Sequence, residues 1–161
     1  MLHPSRMSAV PSFSGRQIMH TVIIDQRTRL LKWAERQLGV AFFDDAQAVG
    51  WGNASEIRAV AVYDRWSGND CCVHLISDGQ PGWLARPFIA AGFAYPFVVA
   101  GLRRITGLVP ASNERAIRLN RHFGYREEGR LRFAADDGSD IIIMGMLREE
   151  CCFIMKDRHH G

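Results

Sequence analysis

Residues 103–132, RRITGLVPASNERAIRLNRHFGYREEGRLR, decide the fold of this chain. An apolar, β-type run at residues 105–109 leads into a polar turn, and a helical pattern follows over residues 114–123. A second alternating segment begins after this helix and covers residues 125–132. The stretch therefore predicts a strand, a helix and a second strand in close succession.

The helix prediction rests on the spacing of residues along one face. That face repeats at i, i+3, i+4 and i+7, the period of an amphipathic helix, and it consists of Ala116, Leu119, Asn120 and Phe123. Ser112 or Asn113 can cap the N-terminus, and Gly124 can supply the left-handed residue that ends the helix.

The pattern N-x-x-A-x-x-L-x-x-x-x-G-[FY]-x-x-E-G runs from Asn113 to Gly129. With its Arg103-Arg104 entry it resembles the C-terminal half of the GNAT N-acetyltransferase superfamily, and the likeness covers about residues 84–152. The resemblance implies an α/β (α+β) class and the GNAT fold, in which helices flank both faces of a mixed, mostly antiparallel sheet. The short N-terminal half and the Tyr95-Pro96-Phe97 segment also resemble small GNAT-like proteins of tailed phages and prophages.

The rest of the chain shows a compatible order of elements. We predict a strand at residues 20–25, a helix at 28–38, short strands at 40–43 and 47–51, strands at 56–63 and 71–77, an apolar helix at 83–100 and a last strand at 139–147. Pro96 predicts a kink or a split in the apolar helix, because proline has no backbone N–H. The last strand should pair antiparallel with residues 125–132 across a turn at Asp137-Gly138.

The length of 161 residues predicts a single domain. Residues 1–18 contain prolines and serines without periodicity, so we expect a flexible leader there. The domain should then cover residues 19–155, and residues 156–161 should form a tail. There are no internal repeats.

The charge and composition of the chain give no indication of a nucleic-acid or membrane partner. The net charge of +3 does not by itself predict a nucleic-acid partner, and a solvated helix face accounts for Arg115, Arg118, Arg121 and Arg126. No apolar run reaches the ~20 residues that a membrane span needs, so no membrane association is expected.

The four cysteines form two adjacent pairs, Cys71-Cys72 and Cys151-Cys152. Neighbours along a strand point to opposite faces, so neither pair predicts a disulfide within itself. The spacing is not that of a zinc site, and no metal is expected. Reduced thiols indicate a reducing compartment, so we expect a cytoplasmic protein, or a virion protein if it is phage-encoded.

The resemblance implies acetyl-CoA as co-substrate and an amine as acceptor. In the family a splayed strand offers backbone partners to the pantetheine arm, which here implies Leu75, Ile76 and Ser77. Asn113 and Ala116 are implied as contacts to the same molecule, and a plain N-cap is the alternative for Asn113.

The loop before the apolar helix departs from the family pattern. Family loops read [QR]-x-x-G-x-[GA] and hold the pyrophosphate on backbone N–H groups. Residues 79–87 do not fit this pattern, and Pro81 and Pro87 remove two donors. Arg86 can bind phosphate instead through its guanidinium; the alternative is an exposed arginine at a helix start.

Several polar residues of the sequence are candidates for proton transfer or for binding the thioester. Many family members carry a tyrosine directly after the helix leucine, where it protonates the leaving thiolate. Here Asn120 stands there, and it can only hydrogen-bond the sulfur or the carbonyl. His74 and Glu56, together with Asp64, lie on or beside strands that line the family's acceptor groove; His74 is a candidate base or, alternatively, a structural residue.

The sequence therefore predicts an acyl-CoA-dependent N-acyltransferase. It would transfer acetyl from acetyl-CoA to an amine (a protein N-terminus, a lysine or a small molecule) by direct attack, with Asn120, His74 and Glu56 as catalytic candidates. The bound acetyl-CoA should lie between residues 71–77 and 105–109. The alternative is an inactive GNAT fold that serves as a phage virion component or protein-interaction module, with phage structural proteins as partners.

Overall fold

A computed structural model describes residues 19–154. Its sheet consists of strands β1 (Thr21–Ile23), β2 (Gln47–Gly52), β3 (Ile57–Asp64), β4 (Cys72–Ser77), β5 (Arg104–Pro110), β6 (Arg126–Leu131) and β7 (Ile141–Leu147). The helices are α1 (Arg27–Leu38), α2 (Arg86–Ala94) and α3 (Glu114–Phe123), with a π-helical turn at Tyr95–Val99 and a 3-10 turn at Arg148–Glu150. The predicted leader at residues 1–18 and tail at 156–161 lie outside the described residues.

The strand order is β1-β2-β3-β4-β5-β7-β6, and all neighbouring pairs are antiparallel except β4 and β5. This confirms the predicted class, a mixed and mostly antiparallel sheet with helices. The predicted pairing of the last two strands is also confirmed, with a register that runs from Arg126 opposite Gly145 to Leu131 opposite Ile141. Strand β5 belongs to the same sheet and pairs with β7.

The predicted bounds of α3 are confirmed. The Asn113 side chain caps the helix, because its Oδ1 accepts a hydrogen bond from Ala116 N at 3.1 Å. Gly124 ends it in the left-handed conformation, at φ +102°. The helix is thus set by signals within its own sequence.

The short strand predicted at residues 40–43 is wrong. These residues form a loop between α1 and β2. Strand β1 occupies the position beside β2, so no strand partner is left for the loop. Phe42 packs against the core under α1, whereas Phe43 is exposed.

Helix α1 covers one face of the sheet. Leu30, Leu31 and Ala34 point inward and pack in one cluster with Val60 and Val62 of β3. None of the helices within residues 19–154 is long and apolar enough to cross a membrane.

Helices α2 and α3 share a second core that includes the other set of inward side chains from the sheet. The two helices meet at Phe93 and Phe123, whose ring centroids lie 5.6 Å apart. Phe153 stacks on Phe93 at 4.9 Å and closes this core from the C-terminal side.

The predicted break at Pro96 is confirmed, because α2 ends at Ala94 and a π-helical turn follows. Pro96 cannot donate the hydrogen bond that the Gly92 carbonyl would receive in a continuous α-helix. The buried Tyr63 hydroxyl replaces it and donates to Gly92 O at 2.6 Å. A strand side chain therefore completes the backbone hydrogen bonding of α2.

A polar network lies on the α1 side of β5 and β7. Arg104 Nη2 donates to Glu128 Oε2 at 2.8 Å and to Thr106 Oγ1 at 3.0 Å, and Thr106 Oγ1 donates to Asp70 Oδ2 at 2.7 Å. Glu128 sits in a bulge of β6 above Gly145, where an added Cβ would clash with the Glu128 carboxylate. Glu128 of the sequence motif thus pairs with the arginine at the start of β5.

We expect Tyr63→Phe to destabilise the fold by about 1–3 kcal/mol, the cost of leaving the half-buried Gly92 carbonyl without its partner. Urea denaturation measures the change. In a Pro96→Ala background the same substitution should cost less, because the backbone N–H at position 96 can then bond Gly92 O. An equal cost in both backgrounds would contradict this account of the α2 end.

Candidate active site between the fourth and fifth strands

Strands β4 and β5 are parallel neighbours joined through a single residue pair, Cys72 opposite Thr106. Thr106 N also donates to Cys71 O at 2.9 Å, which closes this inner end. Beyond it each strand follows its antiparallel partner, β4 along β3 and β5 along β7, and the sheet opens between them. The backbone groups of residues 73–77 that face β5 therefore lack a strand partner.

A cavity of about 270 Å³ lies in this opening, under α2 and α3. Its walls are mostly apolar and include Val73, Leu75, Phe88, Phe93, Ile105, Val109 and Leu119. His74 and Ile76 also line it, and both pair with β3 residues that pack under α1. The cavity therefore reaches both faces of the sheet.

The structure brings six of the predicted site residues to this cavity: His74, Leu75, Ile76, Asn113, Ala116 and Asn120. Three others do not line it. Glu56 lies at the β2–β3 turn and bonds His20 Nε2 at 2.6 Å, Ser77 Oγ accepts from Gly79 N at 3.2 Å, and Arg86 is exposed at the first residue of α2. The roles predicted for all nine residues stay predictions.

Asn120 lies on the side of α3 that faces β5. Its Nδ2 donates to Ala116 O, one turn earlier, at 2.8 Å. An added Cβ at Gly107 would lie 3.5 Å from Asn120 Oδ1, so the amide sits directly over this strand glycine. One Nδ2 hydrogen is thereby used inside the helix, and the rest of the amide is available to the cavity.

His74 forms a pair with a carboxylate on the neighbouring strand. Its Nε2 lies 2.8 Å from Asp64 Oδ1, and the Asp64 side chain is only 5% exposed. The Phe42 ring packs on the imidazole at 5.4 Å. A carboxylate can only accept, so in the neutral imidazole Nε2 carries the proton and Nδ1 keeps a lone pair.

The loop between β4 and α2 turns on two glycines in the left-handed region, Gly79 at φ +77° and Gly82 at φ +90°. Arg58 holds the loop through an ion pair with Asp78 and a 2.9 Å hydrogen bond to Pro81 O. Helix α2 begins without a side-chain cap, and its second residue is proline. Its first turn therefore offers the N–H groups of the first and third residues.

Sequence reasoning missed the contribution of α2 and of Tyr125 to the cavity. Tyr125 had a place in the motif only as the aromatic residue after Gly124. Its side chain is 7% exposed, and burial raises its pKa well above the ordinary value. An alternating pattern shows that such a residue is buried but not which cavity it borders.

All four cysteines are free. Cys71 and Cys151 are buried, and Cys152 is exposed. Burial raises the pKa of the Cys71 thiol to about 12. Residues 19–154 contain no group of three or more His, Cys, Asp or Glu side chains placed to hold a metal ion.

The chain resembles known proteins in its fold but not in its sequence. No protein-family model matches the chain, and no curated protein is significantly similar in sequence. Mutant forms of the spermidine/spermine N-acetyltransferase SpeG from Vibrio cholerae superpose with a TM-score of 0.68 at 16% identity, over 81% of this chain and 96% of theirs. The Vibrio cholerae spermidine N-acetyltransferase in complex with CoA and spermine gives 0.66 at 15% identity, over 81% and 96%. The chain therefore has the GNAT fold.

We expect a thiol alkylating reagent at about pH 8 to label Cys152 in the native protein and to leave Cys71 unmodified. A thiol with a pKa near 12 is ionised in only about one molecule in 10⁴ at that pH, and Cys71 is also buried. Peptide mass spectrometry reads the labelled positions, with urea-unfolded protein as the control. Equal labelling of both thiols would show that the start of β4 opens to solvent.

Proposed function

We propose that the chain is an acetyl-CoA-dependent N-acetyltransferase that acetylates an amine. The observation that carries the proposal is the opening between β4 and β5, with its apolar cavity and unpaired strand backbone, on a fold shared with acetyltransferases. We assign this opening to acetyl-CoA as co-substrate.

The residues of the opening fit the arm of this molecule. A pantetheine chain has amide groups that need hydrogen-bond partners, and the backbone at Leu75, Ile76 and Ser77 offers donors and acceptors beyond the single β4–β5 pair. Its methylene segments suit the apolar cavity walls. Asn113 and Ala116, at the start of α3, border the same space from the β5 side.

The phosphates would lie outside the cavity, at the start of α2. The N–H groups of the first turn and the positive end of the helix favour an anion there. Arg86 is exposed at this point and can add a bidentate contact. Asp78 lies nearby in sequence, but its charge is balanced by Arg58.

The chemistry requires a neutral amine. Its nitrogen attacks the thioester carbonyl carbon, the C–N bond forms, the C–S bond breaks, and one proton leaves the nitrogen. His74 is our candidate base, because it lines the cavity with its Nε2 held by Asp64 and its Nδ1 free to accept. Asn120 would hold the thioester oxygen or sulfur with its amide. Glu56, outside the cavity, could act only through water.

The acceptor we favour carries a single amino group, such as a protein N-terminus, a lysine or a small monoamine. The SpeG structure contains spermine, a molecule with several positive charges. Of the described residues that line the cavity, none is aspartate or glutamate, so several charges would not be balanced there.

The four free cysteines favour a reducing compartment, and we propose a cytoplasmic protein. The resemblance to GNAT-like proteins of tailed phages stays a prediction from the sequence.

Calorimetric titration with CoA and acetyl-CoA tests the proposal. The substitution Gly107→Val tests whether CoA binds in this cavity. Valine suits a strand, and its Cβ would meet only ordinary contacts, but its methyl groups would project into the cavity beside Asn120. We expect CoA affinity to fall more than about tenfold without a loss of thermal stability. The matched control is Gly129→Val, on β6 outside the cavity. If the intact chain does not bind acetyl-CoA at millimolar concentration, the acetyltransferase function is rejected. The alternative, a non-catalytic virion component or protein-interaction module, would then remain.

We expect Arg86→Ala to weaken CoA binding by about tenfold or more, the range for losing a hydrogen bond to a charged group. The loss of affinity should be smaller when the ligand is pantetheine, because pantetheine lacks the pyrophosphate of CoA. Arg36→Ala, an equally exposed arginine on α1, serves as the control for overall charge. Equal affinity of the Arg86→Ala protein and the native chain would place the phosphates elsewhere.

A further inference from the structure

The cavity between β4 and β5 has two ends that differ in chemistry. The end under α2 and α3 is bordered by Asn113 and Asn120, which the proposed function assigns to acetyl-CoA. The other end opens on the face of the sheet that α1 covers. With CoA in the first end, the acceptor amine approaches the thioester from the second, and the side chains there select which amines fit.

Aliphatic side chains and one imidazole line the end on the α1 side. On β4, His74 and Ile76 lie opposite residues that pack under α1. On β5, Leu108 alternates with Ile105 and Val109, which belong to the core under α2 and α3, so Leu108 faces the α1 side. Within the part of the chain that the structure describes, His74 is thus the polar side chain at this end of the cavity.

Helix α1 adds Leu38, its last residue. Leu38 follows Ala34 by one turn and continues the inward stripe of the helix, but it lines the cavity and remains 47% exposed. Gly39, at φ +68°, ends the helix directly after it, and its N–H donates to Glu35 O at 2.8 Å. Leu38 is therefore held at the mouth of the cavity with nearly half of its surface uncovered.

The loop after α1 carries further exposed apolar residues. Val40 is 51% exposed and Phe43 is 58% exposed, whereas Phe42 packs its ring on His74 at 5.4 Å. The loop is tied back to the helix, because Phe42 N–H donates to Glu35 Oε1 at 3.2 Å. An apolar surface that is held in place beside a cavity in this way is typical of a binding site.

The charges beside this loop leave no surplus of negative charge for a second ammonium group. Arg65 lies over the Phe43 ring, 5.8 Å from its centroid, and Arg27 donates to the Asp44 carbonyl. These two cations offset the exposed carboxylates of Asp44 and Asp45 at the end of the loop. The surface therefore suits an acceptor whose single charge is on the reacting nitrogen.

We propose that the acceptor is a small amine with one amino group and an apolar body, an inference that rests on the proposed function and narrows it. The nitrogen lies at His74, and the body lies along Leu38 and the loop that follows. A protein N-terminus fits less well, because its backbone amides would need hydrogen-bond partners that the aliphatic side chains at this end do not supply.

Acetylation of straight-chain monoamines from propylamine to hexylamine tests the inference. These amines have nearly the same pKa, so their kcat/KM values compare the binding of the alkyl chain. We expect kcat/KM to rise by about threefold for each added methylene, the gain from burying that group. The compound 1,6-diaminohexane has the length of hexylamine and a second charge, and its kcat/KM should be lower by more than about tenfold.

The substitution Leu38→Gln tests where the alkyl chain lies, with Leu131→Gln as the matched control. Both leucines are 47% exposed, but Leu131 is on β6 and does not line the cavity. Leu38→Gln should lower kcat/KM for hexylamine by about tenfold and leave propylamine and the affinity for CoA nearly unchanged. Leu131→Gln should leave all of these values unchanged.

Two results with the native chain would overturn the inference and leave the proposed function intact. The first is a higher kcat/KM for 1,6-diaminohexane or spermidine than for hexylamine, and the second is acetylation of a peptide N-terminus but of none of these amines. An unchanged dependence on chain length in the Leu38→Gln protein would also overturn it, because the alkyl chain would then lie elsewhere. Absence of CoA binding by the native chain would instead reject the proposed function, and the inference with it.

Discussion

The divergence of β4 and β5 is the constraint on which the rest of the structure depends. Each strand is paired along its whole length with an antiparallel neighbour, and the two meet each other only at Cys72 and Thr106. Parallel pairing of the two strands would satisfy more backbone groups but would close the opening. The backbone groups along this edge therefore have no strand partner and can bond a ligand or water instead.

The opening between β4 and β5 must be stabilised by elements outside the sheet. The aromatic contacts among Phe93, Phe123 and Phe153 hold α2 and α3 together above the opening, at centroid distances of 4.9–5.7 Å. The π-helical turn lets the chain leave α2 at Pro96, and the hydroxyl of Tyr63 completes the helix from below. These aromatic side chains thus connect the two helices where the sheet lacks strand pairing.

The sequence predicted correctly those parts of the structure that depend on residues close together in the chain. The bounds of α3 follow from a cap, a helical period and a glycine, all within twelve residues, and Pro96 marked the end of α2. Contacts between distant residues were out of reach: Asp64 meets His74 only through the β3–β4 register, and Tyr125 borders a cavity formed by other elements. Six of the residues predicted from the family pattern line the cavity, and their roles stay predictions; the pattern could not foresee that Glu56 bonds His20.

Gly145 links the outer strands to the inner end of the opening. Any side chain there would push the Glu128 carboxylate aside and release Arg104 from its partner. Arg104 also contacts Thr106, the residue at which β5 touches β4. We therefore expect a side chain at position 145 to be tolerated only together with a change at Glu128, or else to alter the point from which the two central strands separate.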